Sequence, residues 1–322
     1  MTSAPGALPP EGWRPSDRHL GLVGPTASGK SALALELARR HPDLEIVAVD
    51  SMQVYRGMDI GTAKPTPAEQ AEVPHHLLDV ADPDDDYTVA RFQHDCLAVL
   101  ADLEARGNRG LLVGGTGLYL RAITDGLDIP GQFPEQRAAL DADPDTAALF
   151  ERLRGLDPVA AERMEPTNRR RVVRALEVTL GSGRPFSSFG PGLEQYPTAP
   201  FPLVALDIDR SDLDERIARR YDQQMADGFL DEVRALLARP GGLSRTARQA
   251  LGYAELLHHL EHGTPLDVAL DTAVVRTRRF SRRQQRWFRR DPRIGWLPVG
   301  GGDPSTATTG NALARLEALL GD

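Results

Sequence analysis

The stretch Gly24-Pro25-Thr26-Ala27-Ser28-Gly29-Lys30-Ser31 fits the phosphate-loop pattern G-x-x-x-x-G-K-S/T without interruption. Few short motifs restrict a fold as tightly, because the loop works only between a strand and a helix. The apolar run Leu20-Gly21-Leu22-Val23 predicts that strand, and Ala32 to Arg40 predicts the helix. The glycines let the backbone curl so that successive N–H groups point inward, and the helix N-terminus adds its positive dipole end. Lys30 then offers a mobile cation for phosphate oxygens, and Ser31 a hydroxyl suited to Mg²⁺. The segment is expected to hold a phosphorylated ligand, a nucleotide such as ATP being one option.

Strands alternate with helices along the early chain. Leu44 to Val49, Gly110 to Val113 and Phe201 to Ile208 read as three further strands, and Tyr87 to Arg106 as a helix with apolar positions at helical spacing. That alternation predicts an α/β fold, a phosphate-loop parallel sheet flanked by helices. Ligands of such sheets lie at the carboxyl ends of the strands. Four strand ends then converge: the phosphate loop, Asp50-Ser51, Gly114 to Thr116, and Asp207 to Arg210. Residues 131–199 lack a convincing strand, look helical around 145–181, and are flanked by Pro and Gly, as expected of an insertion domain. The core is thus expected over 19–130 and 200–322, with helices after Asp209 apart from a linker at Gly300–Gly310. Residues 1–18, Pro- and Gly-rich at the start, are expected to form a disordered extension.

Composition limits the setting. The 322 residues suffice for a large core, and no run approaches the roughly 20 apolar residues of a membrane span. With one cysteine, Cys96, an internal disulfide or a thiolate zinc site is excluded, which suits a reducing cytoplasm. Nothing demands more than a monomer. The net charge of −8 conceals an asymmetry, since Asp271–Arg293 holds nine arginines against two aspartates. An arginine run carrying Trp287 and Phe288 points to an anionic partner, nucleic acid first among them, because guanidinium forks match phosphate oxygens. A solvated helix face is the plainer alternative.

Asp50 ends a hydrophobic strand, as the magnesium-holding Asp of a phosphate-loop ATPase or kinase does. The segment beyond the strand is of another kind. Asp50 to Pro65 packs acid, hydroxyl, amide, phenol and basic groups into one short run, a set suited to reading a flat polar group such as a base.

These stretches resemble the tRNA dimethylallyltransferase (isopentenyltransferase) family. The resemblance is carried by Gly24–Ser31, Asp50–Pro65, His75–Asp79, Val113–Tyr119, Arg170–Val178, Asp209–Arg216, Gln249–Glu255 and Thr277–Phe288, in family order from Leu20 to Phe288. Two departures are visible: Arg170 stands where the family often has Gln, and Ser31 replaces the commoner Thr. The resemblance implies that the loop holds the pyrophosphate of dimethylallyl diphosphate, with Mg²⁺ at Ser31. The exocyclic N6 amine of an adenine beside the anticodon then attacks C1 of the donor. Asp50 is similar to the family's proton acceptor, Thr26 and Thr116 to its hydroxyl contributors, and Lys30, Arg210 and Arg216 to its electrostatic stabilisers. Arg210 and Arg216, six residues apart, are expected to face one side of a helix. Ser51, Met52, Gln53, Arg137, Arg170, Arg171, Val172, Val173 and Arg174 resemble RNA contacts, the insertion gripping the anticodon stem-loop. Arg282, Arg283 and Arg286 are expected on backbone phosphates.

Two alternatives stay open at this level. One is prenylation of a free adenine nucleotide, and the other a phosphate-loop kinase with the insertion as its lid. His258, His259 and His262 have spacing for a metal but lack acidic company beyond Glu261, and His75-His76 more simply organises a loop.

Overall fold

The computed structural model describes residues 9, 10, 12–299 and 307–321. Its strands, all paired in parallel, are β1 (Leu20–Val23), β2 (Leu44–Val49), β3 (His75–His76), β4 (Arg109–Gly114), β5 (Leu203–Asp207) and β6 (Ile294–Pro298). Across the sheet they run β3-β2-β4-β1-β5-β6. The two outermost strands escape a reading by hydrophobic runs. β3 is two residues long, and β6 is an edge strand with only Ile294 and Leu297 buried and a terminal Pro298.

The helices are α1 (Lys30–Arg40), α2 (Pro67–Glu72), α3 (Val89–Ala105), α4 (Gly117–Thr124), α5 (Pro134–Ala142), α6 (Thr146–Leu156), α7 (Pro158–Glu162), α8 (Arg169–Ser182), α9 (Arg210–Ala226), α10 (Phe229–Leu237), α11 (Arg245–Arg248), α12 (Tyr253–His262), α13 (Leu266–Arg289) and α14 (Ala307–Leu320). Alternating strand positions serve the two faces of the sheet. Leu20, Leu22, Ile46, Leu111 and Leu206 join Leu33 and Leu37 of α1 and Leu313 and Leu316 of α14. Val23, Val47, Leu112 and Ala205 join Phe92 of α3, Ile217 of α9 and Phe288 of α13 on the other face. The layered α/β architecture thus has helices on both sides of a mostly hidden sheet.

The chain divides into a first unit of residues 1–124 with 198–322 and a second of residues 125–197. The second has its own core, in which Leu140, Leu149, Leu153, Ala160, Val172, Val173 and Leu176 are buried together. Residues 1–8 and 11 of the expected extension, and 300–306 of the expected linker, lie outside the described residues. The remainder of both is tied to structure. Pro15 is buried, the Ser16 amide donates to Glu104 Oε1 at 2.7 Å, Trp13 packs on the core, and residues 307–310 belong to α14. No described helix is long and apolar enough to cross a membrane.

Candidate active site

Backbone geometry makes the phosphate loop. Gly29, the N-cap of α1, has φ +95°, and Ala27 also sits in the left-handed region at φ +64°. A non-glycine there costs on the order of 1 kcal/mol and persists where the surroundings impose it. Such alternation turns amide groups toward one concavity at the helix N-terminus. Lys30 Nζ donates to the Pro25 carbonyl at 3.2 Å. Burial lowers its ammonium to about 8, with Asp50 opposing that shift and Arg220 adding to it.

Two arginines of α9 close on the loop. Arg216 Nη1 donates to the Ser28 carbonyl at 3.4 Å, and Arg220 Nη1 to Thr26 Oγ1 at 3.2 Å. They are four residues apart and so share a helix face. Arg210 does not join them. It opens α9 with a side chain 74% exposed, 3.9 Å from Asp214. The expected pairing of Arg210 with Arg216 fails on rotation, because six residues turn a helix by about 240°. Arg220, by contrast, is marked in the sequence only by its spacing from Arg216, and sequence reasoning missed it. Burial lowers its guanidinium from the ordinary value, with Tyr221 and Asp50 pulling the other way.

Opposite lie the ends of β2 and β4. Val49 pairs with Gly114, and a Cβ on Gly114 would fall 2.0 Å from the Val49 carbonyl oxygen, so only glycine permits this approach. Beyond it, Asp50 Oδ1 accepts from the amides of Met52 (2.8 Å) and Gln53 (3.4 Å). Thr116 donates its amide to Val49 O at 3.3 Å and accepts the Ser51 amide on Oγ1 at 3.2 Å. One carboxylate and one hydroxyl are thereby held at neighbouring strand ends, with Lys30 and Arg220 in the field of the carboxylate.

Much of Asp50–Pro65 is bonded within the fold. Gln53, expected to read RNA, spends its amide nitrogen on the carbonyls of Thr62 (3.2 Å) and Ala63 (3.1 Å). The Lys64 side chain is 3% exposed and binds the Tyr55 carbonyl, Asp59 and Asp79. Glu232 of α10 accepts the amides of Asp59, Ile60 and Gly61 and the Tyr253 hydroxyl. His76 bonds Glu45 at 2.6 Å; burial opposes ionisation there, yet Arg106, His76 and Asn108 together pull Glu45 down to about 2. His258 and His259 both bond Thr264, and no group of three metal-binding side chains occurs among the described residues.

The arginine-rich helices sort by face. In α13, Arg276 pairs with Glu255, Arg278 and Arg282 approach Asp214 at 3.9 Å, and Arg289 binds Asp207 at 2.7 Å. Arg279, Arg283, Arg286 and Arg290 are spaced by four, three and four, which makes one stripe of the helix. They have no acidic partner within 4 Å among the described residues. Arg282, at 3.9 Å from Asp214, is the partly neutralised member of the expected phosphate-binding set, while Arg283 and Arg286 lie on the acid-free stripe. In α8, Arg170 and Arg171 lie toward solvent, but Val172 and Val173 are 0% and 1% exposed within the core of the second unit. Buried side chains cannot touch RNA, so both leave the expected set. Arg174 binds Glu177 at 2.6 Å and the Pro130 carbonyl at 2.8 Å, and Arg137 binds Asp141 at 2.8 Å. Their partners give both a structural job.

Residues 53–291 match the IPP transferase family. A tRNA dimethylallyltransferase of Bifidobacterium longum is 47% identical over 289 residues, 88% of this chain and 87% of the relative. That of Kineococcus radiotolerans is 49% identical over 301 residues, 90% of this chain and 94% of the relative. Among solved structures, a tRNA isopentenylpyrophosphate transferase of Bacillus halodurans superposes with a TM-score of 0.69 at 34% identity, covering 95% of this chain and 97% of that one. A eukaryotic dimethylallyltransferase acting on tRNA gives 0.73 at 25% identity, covering 87% and 73%. With a phosphate loop facing a strand-end carboxylate, and this likeness along nearly its whole length, the chain belongs to the IPP transferase family.

Proposed function

We propose that the protein transfers the dimethylallyl group of dimethylallyl diphosphate to N6 of the adenine next to the anticodon of tRNA, releasing pyrophosphate. The observation that carries the reading is Asp50, a strand-end carboxylate facing a phosphate loop whose walls hold Lys30, Arg216 and Arg220. A diphosphate is held by loop amides and these cations, and its growing charge is stabilised as the C1–oxygen bond breaks. Adenine N6 is a poor nucleophile because its lone pair is delocalised into the ring. As N6 bonds C1, the Asp50 carboxylate takes the N6 proton, help worth typically ~10²–10⁴-fold. The Thr116 hydroxyl, beside the Ser51 amide, lies on the acceptor side.

The donor set fits Mg²⁺ arriving with the diphosphate: the side chain of Ser31, exposed at the start of α1, is available, while the described residues offer no three-ligand metal cage. When bound, the ion supplies charge neutralisation of the leaving group. Ser51 and Met52 at the strand end, Arg170 and Arg171 on α8, and the acid-free stripe of α13 are the RNA-facing candidates. Extruding the adenine from the anticodon loop costs a few kcal/mol. We place the protein in the cytoplasm, acting as a monomer.

The test is product identity. After incubation of tRNA with donor and Mg²⁺, digestion to nucleosides should yield N6-alkylated adenosine, and omission of Mg²⁺ should suppress it. Alkylation of any other base, or none, rejects the reading.

A further inference from the structure

Helix α13 reaches both sides of the site through one side chain. Gln284 is 8% exposed, and both ends of its amide are used. Oε1 accepts the backbone amide of Thr26 at 2.9 Å, and Nε2 donates to the Gly115 carbonyl at 2.9 Å. One end is thus bonded to the phosphate loop, and the other to the loop that carries Thr116. The approach is tight: a Cβ on Gly115 would fall 2.3 Å from Gln284 Nε2. One turn further, Trp287 presses on the same loop, where a Cβ on Gly117 would fall 2.1 Å from its indole nitrogen.

The Gln284 contacts have a chemical consequence for the loop. The Thr26 N–H is committed to Gln284. With the Thr26 amide held by Gln284 and the Thr26 hydroxyl by Arg220, the first turn of the loop is fixed from the α13 and α9 sides. A planar amide with one donor end and one acceptor end suits a gap between an N–H and a carbonyl.

We propose that Gln284 is a positioning residue, a spacer that sets the distance between the diphosphate loop and the acceptor-side loop, and so between donor C1 and adenine N6. The proposal rests on the alkyl-transfer reading of this site. Alkyl transfer requires nucleophile, carbon and leaving group in line at near-contact, and a misplacement of about 1 Å costs on the order of 10²-fold. Gln284 touches neither substrate in this account. Its loss should therefore act on the rate of the bound complex more than on either affinity.

The experiment compares Gln284→Leu, which removes both hydrogen bonds at similar size, with Gln284→Glu, which keeps an acceptor for Thr26 and sets a carboxylate against the Gly115 carbonyl. Wild type is run in the same dimethylallyl transfer assay. Expected are kcat losses of about 10–10²-fold for both, with KM for donor and tRNA within about threefold of wild type. A double-mutant cycle supplies the second readout. Gly115→Ala alone should lose activity, because its methyl collides with Gln284, and should cost far less in a Gln284→Ala background. The proposal is overturned if the loss lies wholly in donor KM with kcat intact. It is also overturned if the Gly115→Ala penalty is the same in both backgrounds, or if folded variants retain full kcat while only their melting temperature falls. An inactive wild type would instead reject the alkyl-transfer reading itself.

Discussion

The phosphate loop and helix α8 carry equally conspicuous sequence runs, Gly24–Ser31 and Arg169–Arg174, and fare differently as guides to function. In the loop the backbone performs the task, so consecutive residues cooperate: a left-handed Gly29, a left-handed Ala27 and the following helix turn make one concavity. In the helix the side chains perform it, and consecutive side chains point about 100° apart. The run therefore scatters. Arg170 and Arg171 lie toward solvent, Val172 and Val173 fill a core, and Arg174 is bonded to Glu177 and Pro130. A contiguous motif is evidence for a loop site, whereas a helical surface has to be read at spacings of three and four.

The contrast breaks first at the loop side, if Asp50 proves dispensable. Asp50→Ala should lower turnover of bound tRNA by roughly 10²–10⁴-fold with little change in tRNA affinity, measured by single-turnover transfer and filter binding. Lys30→Ala should cost about 10²–10³-fold in turnover and weaken dimethylallyl diphosphate binding, leaving tRNA binding intact. Because burial brings the Lys30 ammonium to about 8, it is charged below that pH and neutral above it. In calorimetric titrations, donor affinity should therefore fall as pH rises through 8, and the fall should be absent in Lys30→Ala.

The helix side is sharpened by salt. Replacing Arg279, Arg283 and Arg286 with Ala should lower the slope of log affinity against log salt by about 0.7–0.9 for each lost phosphate contact, across different tRNA sequences. Replacing Arg278 and Arg282, which lie against Asp214, should leave that slope nearly unchanged. The smallest effect on RNA is expected at Val172→Ala: about 1–3 kcal/mol of stability lost by denaturant unfolding, and tRNA affinity of the folded protein as in wild type. A selective loss of tRNA affinity would return Val172 to the interface.

Central strands and the loop are legible in the sequence because each is a local pattern: an apolar run, then glycines at fixed offsets. β3 and β6 are not, being short edge elements held by their neighbours. At the site, Lys30, Asp50, Thr26 and Thr116 are legible from strand ends and resemblance. Arg220 and Gln284 are not, because they act on Thr26 across 194 and 258 residues of chain, a relation no local spacing encodes. Gln53 shows the opposite case, a local pattern that hides a second task. An amide beside a strand-end acid looks like a base reader, and only tertiary contact reveals that it staples Thr62 and Ala63.

Delivery of an alkyl group from this phosphate loop to an RNA adenine is the central claim. The most direct measurement is a parallel incubation of the protein with labelled dimethylallyl diphosphate and tRNA, with the same donor and AMP, and with labelled ATP and a nucleoside. Label moving into tRNA adenine, with none entering AMP and no phosphate transferred, is the predicted result. Equal transfer to AMP, or phosphate transfer from ATP with no alkylation of tRNA, would contradict it.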